Sequence, residues 1–162
     1  MRNRESSSSR IAFLLAVGLV AAAGCGDKGK DIMVHNVGDL CVYPANATNE
    51  NPFIADTMPR DYAAGEVANL AVNFQLCLSG SCTTDRQATC TATQSGAVIT
   101  VDATASYHET GDSTCTTDCR LLMAHCATAP LPEGTYTFSF AHLNTALMVP
   151  STVVAPCIGS QH

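Results

Sequence analysis

The chain has no tryptophan, few aromatics and little charge: 6% of its 162 residues are aromatic and 14% are charged. After the first 25 residues the aromatics are Tyr43, Phe53, Tyr62, Phe74, Tyr107, Tyr136, Phe138 and Phe140, and much of the remaining apolar content is alanine. Such a core is thin for its length and gains from covalent cross-links. Basic residues are scarce as well, 8 against 14 acids, for a formal charge of -6. That balance repels phosphates and anionic headgroups, which excludes nucleic acid as a partner and membrane binding through charge alone. The acids are scattered rather than blocked, so they read as a solvated surface. No G-x-S-x-G, H-E-x-x-H, C-x-x-C or Gly-rich phosphate loop occurs, which removes the commonest hydrolase, metalloprotease, thiol-redox and nucleotide-binding signatures.

No apolar run is long enough for a permanent membrane span. The longest, residues 11–24 ("IAFLLAVGLVAAAG"), follows a head containing Arg2, Arg4 and Arg10. As a helix it would span about 21 Å, short of the roughly 30 Å hydrocarbon core. A basic head, a short greasy run and a small-residue exit form the pattern of a secretory signal. The small side chains of Ala22, Ala23 and Gly24 let a peptidase approach the backbone. Ala22-Ala23-Gly24-Cys25 resembles the lipobox of bacterial prolipoproteins, with Ala22 where that family prefers leucine. The resemblance implies cleavage before Cys25, a diacylglycerol on its sulfur and acylation of the new amino group. Its partner would then be a membrane, reached through the lipid on Cys25. Two or more chains at about 0.8 kcal/mol per buried methylene anchor a protein firmly. Gly26 stands where that family often carries an inner-membrane retention aspartate, which favours the outer membrane of a bacterial cell envelope. Residues 1–24 are thus expected to be a signal peptide, 25–37 a lipidated cysteine with a polar spacer, and 38–162 one domain.

Nine cysteines leave an odd one, and setting Cys25 aside leaves eight: Cys41, Cys77, Cys82, Cys90, Cys115, Cys119, Cys126 and Cys157. Outside the cytoplasm disulfides are their default fate. Eight cysteines permit 105 connectivities. Local bridges are expected within Cys77–Cys90 and within Cys115–Cys126, with Cys41 and Cys157 joining opposite ends of the domain. Zinc at Cys115, Cys119, His125 and Cys126 is disfavoured, because neighbours on a strand point to opposite faces. No metal and no cofactor is expected.

Beyond the signal the patterning is that of strands. Leu70, Val72, Phe74, Leu76 and Leu78 alternate with Ala71, Asn73, Gln75 and Cys77, a period of two that argues for a half-buried strand. Ala97, Ile99, Val101, Ala103, Ala105 and Tyr107 share one face of another, with Thr100, Asp102, Thr104 and Ser106 opposite. Further strands are expected at 39–43, 88–93, 120–126, within "EGTYTFSF" (133–140) and at 143–149. Loops are expected at 48–60, 79–87 and 111–118, and a turn at Gln94-Ser95-Gly96. About seven short strands without a convincing helix predict an all-β fold, an antiparallel sandwich. The stretch "LPEGTYTF" (131–138) resembles the approach to the penultimate strand of secreted immunoglobulin-like sandwiches.

Candidate chemistry is sparse. Gly111-Asp112-Ser113 resembles the opening of the nucleophile block of GDSL-type hydrolases, but Thr114 replaces that family's leucine and no Asp-x-x-His follows, so it reads as polar loop. His35, His108, His125, His142 and His162 are isolated, and His108 falls on the solvent face of its strand. The sequence therefore predicts a non-catalytic, lipid-anchored envelope protein with a binding or structural role. A protein or glycan ligand would meet its loops, with 45–57 and Cys115–Cys119 the places to look. The alternative is a small envelope hydrolase whose site is assembled from distant loops.

Overall fold

The structure is a computed structural model that describes residues 29–47, 58–111 and 114–159. Every regular element among them is a strand: β1 (Lys30–His35), β2 (Asp39–Pro44), β3 (Pro59–Tyr62), β4 (Ala68–Asn73), β5 (Thr83–Ser95), β6 (Val98–Glu109), β7 (Met123–Ala127), β8 (Gly134–Phe140), β9 (Leu143–Val149), β10 (Ser151–Val154) and β11 (Cys157–Ile158). The fold is all-β, as the alternation requires, with eleven strands rather than about seven.

The first sheet is built around β6. On one side β5 runs antiparallel from Thr83↔Glu109 to Ser95↔Val98, interrupted by a bulge between Thr84 and Gln87. Gly96 (φ 61°) and Ala97 close this hairpin, the two-residue loop that matches strand twist when glycine leads it. The other side of β6 is shared. β1 pairs antiparallel from Lys30↔Glu109 to His35↔Thr104, and β8 pairs parallel at Val98↔Thr137 to Thr100↔Ser139. β9 extends the sheet beyond β8. The second sheet runs β11-β2-β4-β7, antiparallel throughout, and β10 with β3 forms a separate ribbon.

The core lies between the two sheets. Ile99, Val101, Ala103 and Ala105 of β6, Tyr136, Phe138 and Phe140 of β8, and Leu147 and Val149 of β9 face Leu40 and Val42 of β2 and Leu70 and Val72 of β4. Each set is every second residue of its strand, as the pleat demands. Tyr62 joins this core and donates its phenolic hydrogen to the Val42 carbonyl at 2.7 Å. Tyr136 donates to the Pro132 carbonyl at 2.9 Å, a bond of the tyrosine-corner type that fixes the chain where it enters β8. A second cluster, Cys41, Tyr43, Ala47, Ala71 and Ala155, covers the other face of β2 and β4. Ala71, expected to face outward, is therefore buried.

Three expectations need correcting. First, the segment 26–37 is not a spacer throughout, because residues 30–35 form β1 and belong to the first sheet. Ile32 and Val34 alternate with Asp31, Met33 and His35, which gives this polar stretch a half-buried face. Second, the strand read over Leu70–Leu78 ends at Asn73. Gln75 takes φ 51° and turns the chain out of the ladder, while Phe74 and Leu78 stay buried and Leu78 bridges to Arg120. The alternation recorded burial; the backbone hydrogen bonds followed a different path. Third, β5 begins at Thr83, inside the expected loop 79–87, and is far longer than the expected 88–93 strand.

The cysteine pairing also departs from local bridging. Cys77 joins Cys119, Cys82 joins Cys115 and Cys90 joins Cys126, so every bridge runs between the two clusters and none within either. An extended chain explains this. Cys82, just before β5, and Cys90 within it lie eight residues apart along an extended chain, roughly 26 Å, whereas a disulfide needs Cα atoms within about 7 Å. Cys90–Cys126, at a Cα separation of 5.6 Å, ties β5 of the first sheet to β7 of the second. Cys41 and Cys157 do pair as expected, directly opposite on β2 and β11 with Cα atoms 4.1 Å apart. The Val42 N–H bonds to the Pro156 carbonyl at 2.9 Å, so the adjacent cysteine pair falls at the closer, non-hydrogen-bonded position of an antiparallel ladder.

Candidate functional surfaces

Two disulfides clamp a pair of polar loops at one end of the sandwich. Cys77–Cys119 and Cys82–Cys115 hold the segment 78–82 against 115–120. Between them Leu78 and Arg120 exchange backbone hydrogen bonds of 3.1 and 2.8 Å. The Ser81 N–H donates to Thr116 Oγ1 (3.3 Å) and the Thr116 N–H donates to Ser81 Oγ (2.9 Å). Asp118 organises the rest. It accepts from the Thr116 hydroxyl, from the Gly80 N–H at 3.0 Å and from Arg120 Nε at 3.1 Å. These bonds, the Thr116 hydroxyl foremost, lower its carboxyl to a pKa of about 2. The Cys115–Cys119 loop is thus a rigid polar platform. Of 45–57, the other loop expected to matter, only 45–47 are described, and Asn69 holds them by donating to the carbonyls of Ala45 and Ala47 at 3.2 and 3.3 Å.

A larger surface emerges from strand order. The outward residues of β5, β6 and β8 are mostly short and hydroxylated, β9 adds Asn144, Ala146 and Met148, and the registers align them in rows. Thr93, Thr100, Ser139 and Asn144 lie side by side across four strands, and Thr89, Thr104 and His35 across three. The alternation showed threonines opposite the core on β6 and β8. That they merge into one face depends on which strands become neighbours.

Two histidine–carboxylate pairs stitch β1 to β6. His35 Nε2 lies 2.7 Å from Asp102 Oδ1, which also accepts from Asn36 Nδ2 at 3.0 Å. The Asn36 bond first and the His35 bond second hold the Asp102 carboxyl below its usual range. His108 Nδ1 lies 2.7 Å from Asp31 Oδ1. A carboxylate only accepts, so Nδ1 carries the hydrogen. The His108 side chain retains 23% of its exposure, less than its solvent-face position suggested. It borders an open depression of about 250 Å³ that also meets Asp31, Asp85, Gln87 and Tyr107. A Cβ on Gly29 would come within 2.3 Å of His108 Nε2, so the residue before β1 packs closely against the nitrogen a general base would present. The geometry is that of a cross-strand clasp.

The remaining candidates separate. His125 is exposed while Cys126 turns to Cys90, so those neighbours do point apart. Cys115, Cys119 and Cys126 each go to a different partner. Among the described residues no three His, Cys, Asp or Glu side chains converge as a metal site. Cys25, Asp112 and Ser113 lie outside the described residues. A gap between Tyr62, Glu66, Ala68 and Leu131 measures about 10 Å³, room for one water at most.

Compared with protein-family models, with curated proteins and with solved structures, the chain matches none.

Proposed function

We propose that this is a lipid-anchored protein of a bacterial cell envelope, held by acyl groups on Cys25, whose disulfide-bonded sandwich presents surface to a protein or glycan without catalysing a reaction. The observation that carries the reading is the arithmetic of sulfur. All eight cysteines after position 25 are taken up in four bridges, which leaves Cys25, at the end of a lipobox-like stretch, as the cysteine without a partner to account for. Four bridges also suit an oxidising compartment better than the cytosol. Gly26 after the acylated residue directs the anchor to the outer membrane. Against the hydrolase alternative stand the openness of the depression beside His108 and the close approach of Gly29 to its Nε2, since a hydrolytic site brings a nucleophile, a base and an orienting group together in a cleft.

Intact-mass analysis of the protein from membranes tests the anchor. The expected mass is that of a chain beginning at Cys25 with diacylglycerol and a further acyl group, and Cys25→Ala is expected to move the domain to the soluble fraction. A wild-type chain that is soluble, unacylated and retains residues 1–24 would refute the reading.

A further inference from the structure

The start of β1 fixes how such an anchor would hold the domain. Lys30 is already in the sheet, opposite Glu109, so the chain between an anchored Cys25 and the folded body is only Gly26-Asp27-Lys28-Gly29. Five residue steps reach at most about 18 Å. β6 alone, with 12 residues, is about 37 Å long. One end of the sandwich must therefore stay close to the bilayer.

That end can be named from the registers. Lys30 lies beside Glu109, Glu109 beside Thr83, and Thr110 N–H bonds to the Cys82 carbonyl at 2.8 Å. Cys82 leads through its bridge to Cys115 and the clamped loops. Arg86 sits in the adjoining bulge of β5, between Thr84 and Gln87. The Gly96 turn is at the opposite end of β5 and β6.

Charge separates an end-on posture from one lying flat. Among the described residues the tether end carries Lys30, Arg86 and Arg120 with Asp31, Asp39, Asp85, Glu109 and Asp118, three cations against five acids. The rest carries Arg60 alone with Asp61, Glu66, Asp102 and Glu133, one against four. Laying the sandwich on its side would press the more acidic surface onto headgroups, and anionic lipid opposes that.

We infer that the sandwich stands end-on at the bilayer, with the β1 start, the Arg86 bulge and the disulfide-clamped loops apposed to lipid headgroups and the Gly96 turn directed away. This rests on the anchoring reading above. It also removes the clamped loops from the surfaces free to meet a soluble partner and leaves the hydroxyl-rich face accessible.

Hydrogen exchange of the acylated full-length protein in phosphatidylethanolamine–phosphatidylglycerol vesicles tests the orientation. The comparison is the same protein with a flexible Gly-Ser insertion of about twelve residues after Gly26, long enough to free the body. Amides around Arg86 and in 114–118 are expected to exchange several-fold more slowly without the insertion than with it, and those at Gly96 and Ala97 equally in both. Slowing at Gly96, or no difference at Arg86 and 114–118 in a chain whose mass shows the acyl groups, overturns the orientation and leaves the anchor standing. A chain without acyl mass refutes the anchor and the orientation with it.

Discussion

Breaking the Cys41–Cys157 bridge should destabilise the domain more than breaking any other. A disulfide acts largely by restricting the unfolded chain, and its contribution grows with the logarithm of the loop it closes. Cys41 and Cys157 are 116 residues apart, which alone corresponds to about 4.8 kcal/mol. The other bridges stay in place in the variant and shorten the shortest path between the two ends. Through Cys77–Cys119 that path is about 75 residues, giving about 4.5 kcal/mol. Cys90 and Cys126 are 36 residues apart in sequence, but the path through Cys82–Cys115 is about 20 residues and the loss about 3.3 kcal/mol. Either bridge of the loop clamp closes a path of about 10 residues once the other is intact, and its removal costs about 2.7 kcal/mol. Paired alanine substitutions avoid a stray thiol. Guanidinium unfolding without reductant should rank Cys41→Ala/Cys157→Ala as the least stable, then Cys90→Ala/Cys126→Ala, then either clamp pair. The denaturant slope should be steepest in the first of these variants and fall in the same order, because a looser unfolded chain exposes more surface. If a clamp pair proves the most destabilising, loop length is not what these bridges act through and the reasoning fails.

Other perturbations follow from single positions. Asp118 titrates at about 2 in the folded chain against 3.8 as a free side chain, so the order it gives the loop is complete above about pH 4 and lost as pH falls toward 2. Protection factors at Gly80 and Ser81 should drop over that window, and Asp118→Asn should abolish the pH dependence. The β8–β9 turn places Ala141 (φ 49°) and His142 (φ 70°) in the left-handed region, where Asn-Gly is the preferred pair; exchanging both should raise stability by about 1–2 kcal/mol in thermal unfolding. Gly38 has φ 101°, and a Cβ there would lie 1.9 Å from the Asn73 carbonyl oxygen. Gly38→Ala should therefore lower stability by more than about 2 kcal/mol, read as a shift of the denaturant midpoint.

The residue-by-residue alternation determined that this chain forms strands and which faces they bury. Val101, Ala103 and Ala105 face inward on β6 and Thr100, Asp102 and Thr104 outward because successive side chains on a pleated backbone must point to opposite sides. That is a local property, and it is written in the local order of residues. The same holds for the lipobox-like seam at Cys25 and for the count of eight further cysteines. Tertiary structure decided which segments became neighbours. Cys77 meets Cys119 across 42 residues because two extended segments lie side by side, a relation no short window contains. Lys30–His35 became a strand because β6 offered an unpaired edge beside β8, and so a segment that reads as a polar spacer leaves only four residues between Cys25 and the first strand. Backbone pairing depends on what stands across the ladder, and for β1 that is β6, which lies some seventy residues further along the chain.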